Sequence, residues 1–307
     1  MHATRSRTDL VVAAGPEQDR SAPRPTGHAI SLKWFFALTF GLGWGVASLM
    51  MLFTDKIEAI FGPIGYTNPV FILVVYSPAI AGISLVWHHY GFSALGSFFR
   101  RLTLWRLPSA WWFFMLLGIP AVKYLGAAFN GKMTEFPFSP WYDLLPALVA
   151  ALFIGPIEEF GWRGVALPLL QRRFAPLGSS LILGALWGLW HAPAFLVSGT
   201  PQSAWSFGPY IIGVMALAII LTPIFNSARG SILIPMVFHF LMNGPMWPEA
   251  QPWENYLFAA VAVMIVVLNW RTMTTREGAA TNVLLSEEDS FANPKFRLLA
   301  PAAGQAD

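Results

Sequence analysis

Eight apolar runs dominate this chain and leave it few options other than a bundle of membrane-crossing helices. They extend from about Trp34 to Phe53, Pro69 to Trp87, Ala110 to Phe129, Leu144 to Gln171, Ser179 to Val197, Phe207 to Phe225, Ser231 to Trp247 and Tyr256 to Trp270. A helix needs about 20 apolar residues to span the hydrocarbon core, and the runs are read as spans on that basis. Of the 307 residues, 55% are hydrophobic and only 11% charged, with a mean hydropathy of +0.54. Soluble domains carry about 25% charged residues. The expected fold class is therefore all-α, a polytopic integral membrane protein with about eight transmembrane helices. Pro146, Pro156 and Pro168 leave open whether the fourth run is one bent helix or two.

Little mass is left outside the membrane. Residues 1–30 are rich in Arg, Ser, Pro and Ala and read as a disordered tail; residues 31–272 form the transmembrane domain; residues 273–307 read as a second, poorly ordered tail. The first apolar run exceeds a signal-peptide core and lacks a clear small-residue cleavage site, so it is read as a helix. Lys and Arg cluster on one side of an eight-span arrangement. They include Arg5, Arg7 and Lys33 at the start, Arg100, Arg101 and Arg106 in the second connection, Arg172 and Arg173 in the fourth, Arg229 in the sixth, and Arg271 and Arg276 at the end. Both termini are then expected to be cytoplasmic in the cell membrane. Lys123 lies near a helix end and is expected to snorkel to the interface. A net charge of +3 and a pI of about 9.3 follow from these loops and do not point to nucleic acid. The absence of cysteine excludes a thiolate nucleophile and Cys-ligated metal, leaving carboxylates, histidines and hydroxyls.

Against this background, Glu158, Glu159 and Arg163 in GPIEEFGWRG stand out. A central charge costs roughly 2.5 to 3.5 kcal/mol on insertion scales, so such a cluster is a functional-site hypothesis by default. In a helix, Glu159 and Arg163 share a face with the acid on the N-terminal side, the favourable order for an ion pair. Glu158, about 100° away, is left without that partner. Two later runs carry polar pairs at the same spacing, Trp187 with His191 and His239 with Asn243. Counted from basic or polar markers at the cytoplasmic boundary, Glu158, His191, His239 and Asn243 all lie roughly 15 to 21 Å along their helices, near one depth.

Each histidine or asparagine, taken alone, also reads as interhelical glue. Taken together, a carboxylate, two imidazoles and a carboxamide in a low-dielectric cavity suit hydrolysis. Burial increases a carboxylate's basicity, and imidazole and carboxamide N–H groups can donate to the oxyanion formed when water attacks an amide. No HExxH, GxSxG or Gly-rich phosphate motif is present.

These residues resemble the CAAX protease and bacteriocin-processing (Abi) family of intramembrane endopeptidases. The family's EExxxR stands intact at Glu158, Glu159 and Arg163, its FxxxH as Trp187 to His191, and its HxxxN at His239 and Asn243. The likeness extends over about Arg100 to Asn243, with Trp187 in place of the usual Phe. The resemblance implies an internal catalytic cavity in which Glu158 and His191 activate water, His239 and Asn243 form the oxyanion site, and Glu159 and Arg163 hold the geometry. It implies a substrate peptide or protein in or at the membrane, prenylated in some relatives, and no cofactor. Two alternatives stay open: a zinc protease using the same Glu and His groups as ligands, and a non-catalytic immunity protein or ion pathway.

Overall fold

Residues 30–284 of the chain are described in a computed structural model. The expected tail at 1–29 and the stretch 285–307 lie outside the described residues. Among the described residues, all regular structure is helical. Five stretches are long and apolar enough to cross a membrane: Leu32–Leu52, Pro69–Thr103, Ser109–Phe129, Trp141–Gln171 and Phe207–Ser227. Three shorter apolar helices, Pro176–Trp190, Leu233–Asn243 and Trp253–Leu268, occupy the fifth, seventh and eighth runs. Bulky side chains such as Leu52, Leu117 and Leu268 stay exposed on the outer face, where a bilayer covers them. The chain is a polytopic helical membrane protein.

In the fifth and seventh runs, prolines explain why the helices are shorter than the apolar length predicts, whereas the eighth is helical over nearly all of its run. Proline has no N–H to continue the ladder and turns the preceding residue away from the helical region. Pro193 ends the helix that closes at Trp190, and Pro245 ends the helix that closes at Asn243. The fourth run is likewise split. Helix Leu144–Phe153 stops at an extended Ile154, and Gly155 turns the chain at φ 95°, a region that a side chain would strain. Beyond it, helical turns resume through Pro156–Glu158, Glu159–Gly161, a wide π-type turn at Trp162–Ala166, and Leu167–Gln171. The proline pattern thus produces two helices rather than one bent helix.

Pro168 also lacks the N–H that would reach the Gly164 carbonyl four residues back. Arg101 supplies the missing donor, its Nη1 lying 2.7 Å from the Gly164 oxygen, with Nη2 3.2 Å from the Arg163 oxygen and Nε 2.7 Å from the Gly230 oxygen. The sequence marks Arg101 only as a cytoplasmic charge; in the structure it is buried and clamps the glutamate segment.

Helix Leu32–Leu52 packs along Pro69–Arg100, and Phe207–Ser227 lies between Pro176–Trp190 and Trp253–Leu268. One core gathers Phe35, Trp162, Val165, Leu183 and Trp190 around the glutamate segment; a second gathers Met115, Ile220, Ile234, Phe238 and Phe258. Close approach at Gly161 seats that segment, since a Cβ there would meet the Pro78 carbonyl oxygen at 2.3 Å.

Two expectations change. Lys123 does not snorkel: it is buried and ion-paired with Glu254, in the first turn of Trp253–Leu268. Its partner lies 131 residues away in sequence, beyond the reach of local spacing rules. Residues 273–284, counted with the poorly ordered tail, pack onto the bundle. The Arg172 Nε donates to the Thr281 carbonyl at 2.9 Å, the Ala280 N–H to Asn226 Oδ1 at 3.1 Å, and Leu284 is buried.

Candidate active site

Three interrupted runs converge on one place. Glu158 and Glu159 follow the Gly155–Pro156 break, His191 caps helix Pro176–Trp190, and Asn243 is the last residue of helix Leu233–Asn243, with His239 one turn earlier. Irregular backbone at membrane depth is tolerated where it lines a cavity. Here it lines two. An apolar cavity of about 150 Å³ is bounded by Met50, Val74, Ala150, Gly155, Glu158, His191 and Asn243. A more polar one of about 350 Å³ is bounded by Glu159, Trp187, His191, Tyr210, His239 and Asn243, and also by Lys123 and Glu254. His191 and Asn243 line both, so the candidate residues stand where the cavities adjoin.

The adjacent glutamates have different partners, as their helical offset predicts. Glu159 is fully buried and takes Arg163 Nη1 on both oxygens, at 3.0 and 3.2 Å. It also accepts a hydrogen bond from His239 Nδ1 at 2.8 Å on Oε1. Glu159 therefore does more than pair with Arg163: it orients a histidine of the site. Among the described residues Glu158 makes no ion pair, yet it is firmly held. Trp162 Nε1 and Trp187 Nε1 both donate to its Oε2, at 3.1 and 2.9 Å. Arg163 stacks over the Trp187 ring, 4.4 Å from its centroid, with its Nε and Nη2 buried and without hydrogen-bond partners.

The hydrogen bonds also fix ring tautomers. A backbone carbonyl can only accept, so the contact of His191 Nδ1 with the Trp187 oxygen at 2.8 Å places the proton on Nδ1 and leaves Nε2 as the acceptor in the neutral ring. His191 is packed edge-on against Trp190 and Tyr210, with ring centroids 4.7 and 5.4 Å away. His239 directs Nδ1 at Glu159, which leaves Nε2 for the cavity. Asn243 and His239 meet beside Gly155. A Cβ on Gly155 would lie 2.7 Å from Asn243 Nδ2 and 3.1 Å from His239 Nε2. Asn243 and His239 therefore lie side by side against the Gly155 backbone, where a side chain at 155 would collide with them.

Every residue singled out in the sequence (Glu158, Glu159, Arg163, Trp187, His191, His239 and Asn243) is part of this cluster. Three contributors were missed. Trp162 stands four residues after Glu158, the same interval that joins Glu159 to Arg163, and so was legible. Gly155 and Arg101 act through a backbone turn and through long-range contacts, for which local spacing carries no signal.

Comparison with known proteins now bears on this geometry. Residues 140–244 match the family described as Type II CAAX prenyl endopeptidase Rce1-like. The chain is also similar to the CAAX prenyl protease 2 of Methanococcus maripaludis, with 33% identity over 129 residues, which cover 39% of this chain and 48% of the relative. The chain spans about half the length of this curated relative. The matched segment carries Glu158, His191, His239 and Asn243, so the likeness falls on the residues that line the two cavities.

Proposed function

We propose that the protein is an intramembrane endopeptidase that hydrolyses a peptide bond of a membrane-associated protein carrying a prenylated CAAX-type terminus. The observation that carries this reading is the gathering of Glu158, His191, His239 and Asn243 where the two cavities adjoin, with His239 Nε2 and Asn243 Nδ2 side by side against Gly155.

In this reading, a water enters between Glu158 and His191. Glu158 takes one of its protons while His191 Nε2 accepts from the other O–H and fixes the water's orientation. The oxygen attacks the carbonyl carbon, and the negative charge moves onto the carbonyl oxygen beside Gly155. Asn243 Nδ2 donates to that oxyanion, and His239 donates from Nε2 in its doubly protonated form, since Nδ1–H is committed to Glu159. The tetrahedral intermediate collapses, the C–N bond breaks, and the leaving amine takes the proton from Glu158. Glu159 and Arg163 hold His239 in place. Among the described residues, no group of three His, Cys, Asp or Glu side chains is arranged to hold a metal ion, and the reading routes no step through one.

The test uses full-length protein in liposomes and a farnesylated peptide with three residues after the modified cysteine. Mass spectrometry is expected to show release of the intact tripeptide. An uncleaved peptide would overturn the substrate assignment; stoichiometric zinc in the purified protein, with activity lost on its removal, would overturn the mechanism.

A further inference from the structure

The geometry points to Trp162 and Trp187 as positioning residues that hold the Glu158 carboxylate by one oxygen, Oε2, and so assign proton transfer to the other, Oε1. This rests on the reading of Glu158 as the base. Two indole N–H groups from different helical segments end on the same atom, at 3.1 and 2.9 Å. An indole N–H only donates, so neither tryptophan competes for the proton that Glu158 must accept. Both donors come from buried rings, Trp162 being fully buried and Trp187 5% exposed. Their positions are themselves fixed: Trp162 stacks edge-on against Phe35 and Trp190, with centroids 5.7 and 5.9 Å away, and Trp187 lies over Arg163.

A flexible carboxylate among apolar walls would sample rotamers that point away from the water. Two fixed donors on one oxygen remove that freedom and set the plane of the group. Trp187 does this with its N–H while its face covers the Arg163 guanidinium, so one side chain couples both halves of the charged motif. A phenylalanine would keep the face and lose the N–H. The distinction makes the tryptophan at 187 functional in this chain and not a neutral aromatic exchange.

Trp187→Phe and Trp162→Phe are the variants that test this, each assayed for kcat and KM on the farnesylated peptide and for thermal unfolding in detergent. A charge-assisted hydrogen bond lost at the base is expected to lower kcat by about 10-fold or more with KM within a factor of two, and the double variant is expected to lose more than either single one. Packing alone would not give the second signature. Trp187→Phe is expected to lower the unfolding temperature when Glu158 is present and to have a much smaller effect in a Glu158→Leu background, which has no acceptor. Unchanged kcat in Trp187→Phe, beside a wild type that cleaves and a Glu158→Gln variant that does not, would overturn this inference and leave the proposed function standing. Equal shifts in unfolding temperature in the two backgrounds would overturn it without reference to activity.

Discussion

At the scale of the residue, the same spacing joins each glutamate to a different group four positions on. Glu159 reaches Arg163 and Glu158 reaches Trp162, so one carboxylate meets a cation and its neighbour a neutral donor. In the proposed mechanism, the neutral partner leaves Glu158 free to take and return a proton. Glu159 instead bonds the Arg163 guanidinium and holds His239. Glu159→Gln is therefore expected to fail twice. Breaking a buried pair from one side costs about 3 to 5 kcal/mol, and His239 loses its anchor, so thermal unfolding and kcat are both expected to fall. A stable Glu159→Gln with full turnover would contradict the contact network. Asn243→Ala is expected to lower kcat by about 100- to 1000-fold with little change in KM, because in the proposed mechanism its donor meets charge that develops only in the transition state. A variant that merely weakened binding would make Asn243 a substrate contact.

At the scale of the element, the site is made by helices that stop early. His191 precedes Pro193 by two residues and Asn243 precedes Pro245 by two, while Gly155–Pro156 opens the segment bearing both glutamates. The prolines were visible in the sequence, and so was the four-residue spacing of each polar pair. Their consequence was not: apolar length reads as a full span whether or not a proline ends the helix inside it. Contacts that depend on chain topology were equally hidden, since Arg101 reaches Gly164 and Gly230 across 63 and 129 residues. Its role gives a specific expectation. Arg101→Met leaves three buried carbonyls without that donor and is expected to destabilise the protein by at least about 3 kcal/mol. Adding Pro168→Ala restores a backbone N–H toward Gly164 and is expected to recover about 1 kcal/mol of that loss in thermal unfolding. If the double variant is no more stable than Arg101→Met, the proline is not what creates the need for the arginine.

For the whole molecule, an apolar outer face surrounds a largely apolar interior, within which the described helices bring together a cluster of charged and polar side chains from distant parts of the chain. The distribution of Lys and Arg predicts that both termini are cytoplasmic, and reporters fused before Lys33 and after Thr272 are expected to agree on that side. A reporter on the far side would mean that one of the shorter helices, such as Leu233–Asn243, does not cross. The account as a whole rests on Glu158 as the base of a water-activating site. Its most direct test is single-turnover cleavage of the farnesylated peptide by full-length wild type and Glu158→Gln in the same liposomes, with peptide binding and thermal unfolding measured on both. The account predicts that Glu158→Gln binds the peptide and unfolds near the wild-type temperature, yet releases no tripeptide. Cleavage by Glu158→Gln at the wild-type rate would contradict it.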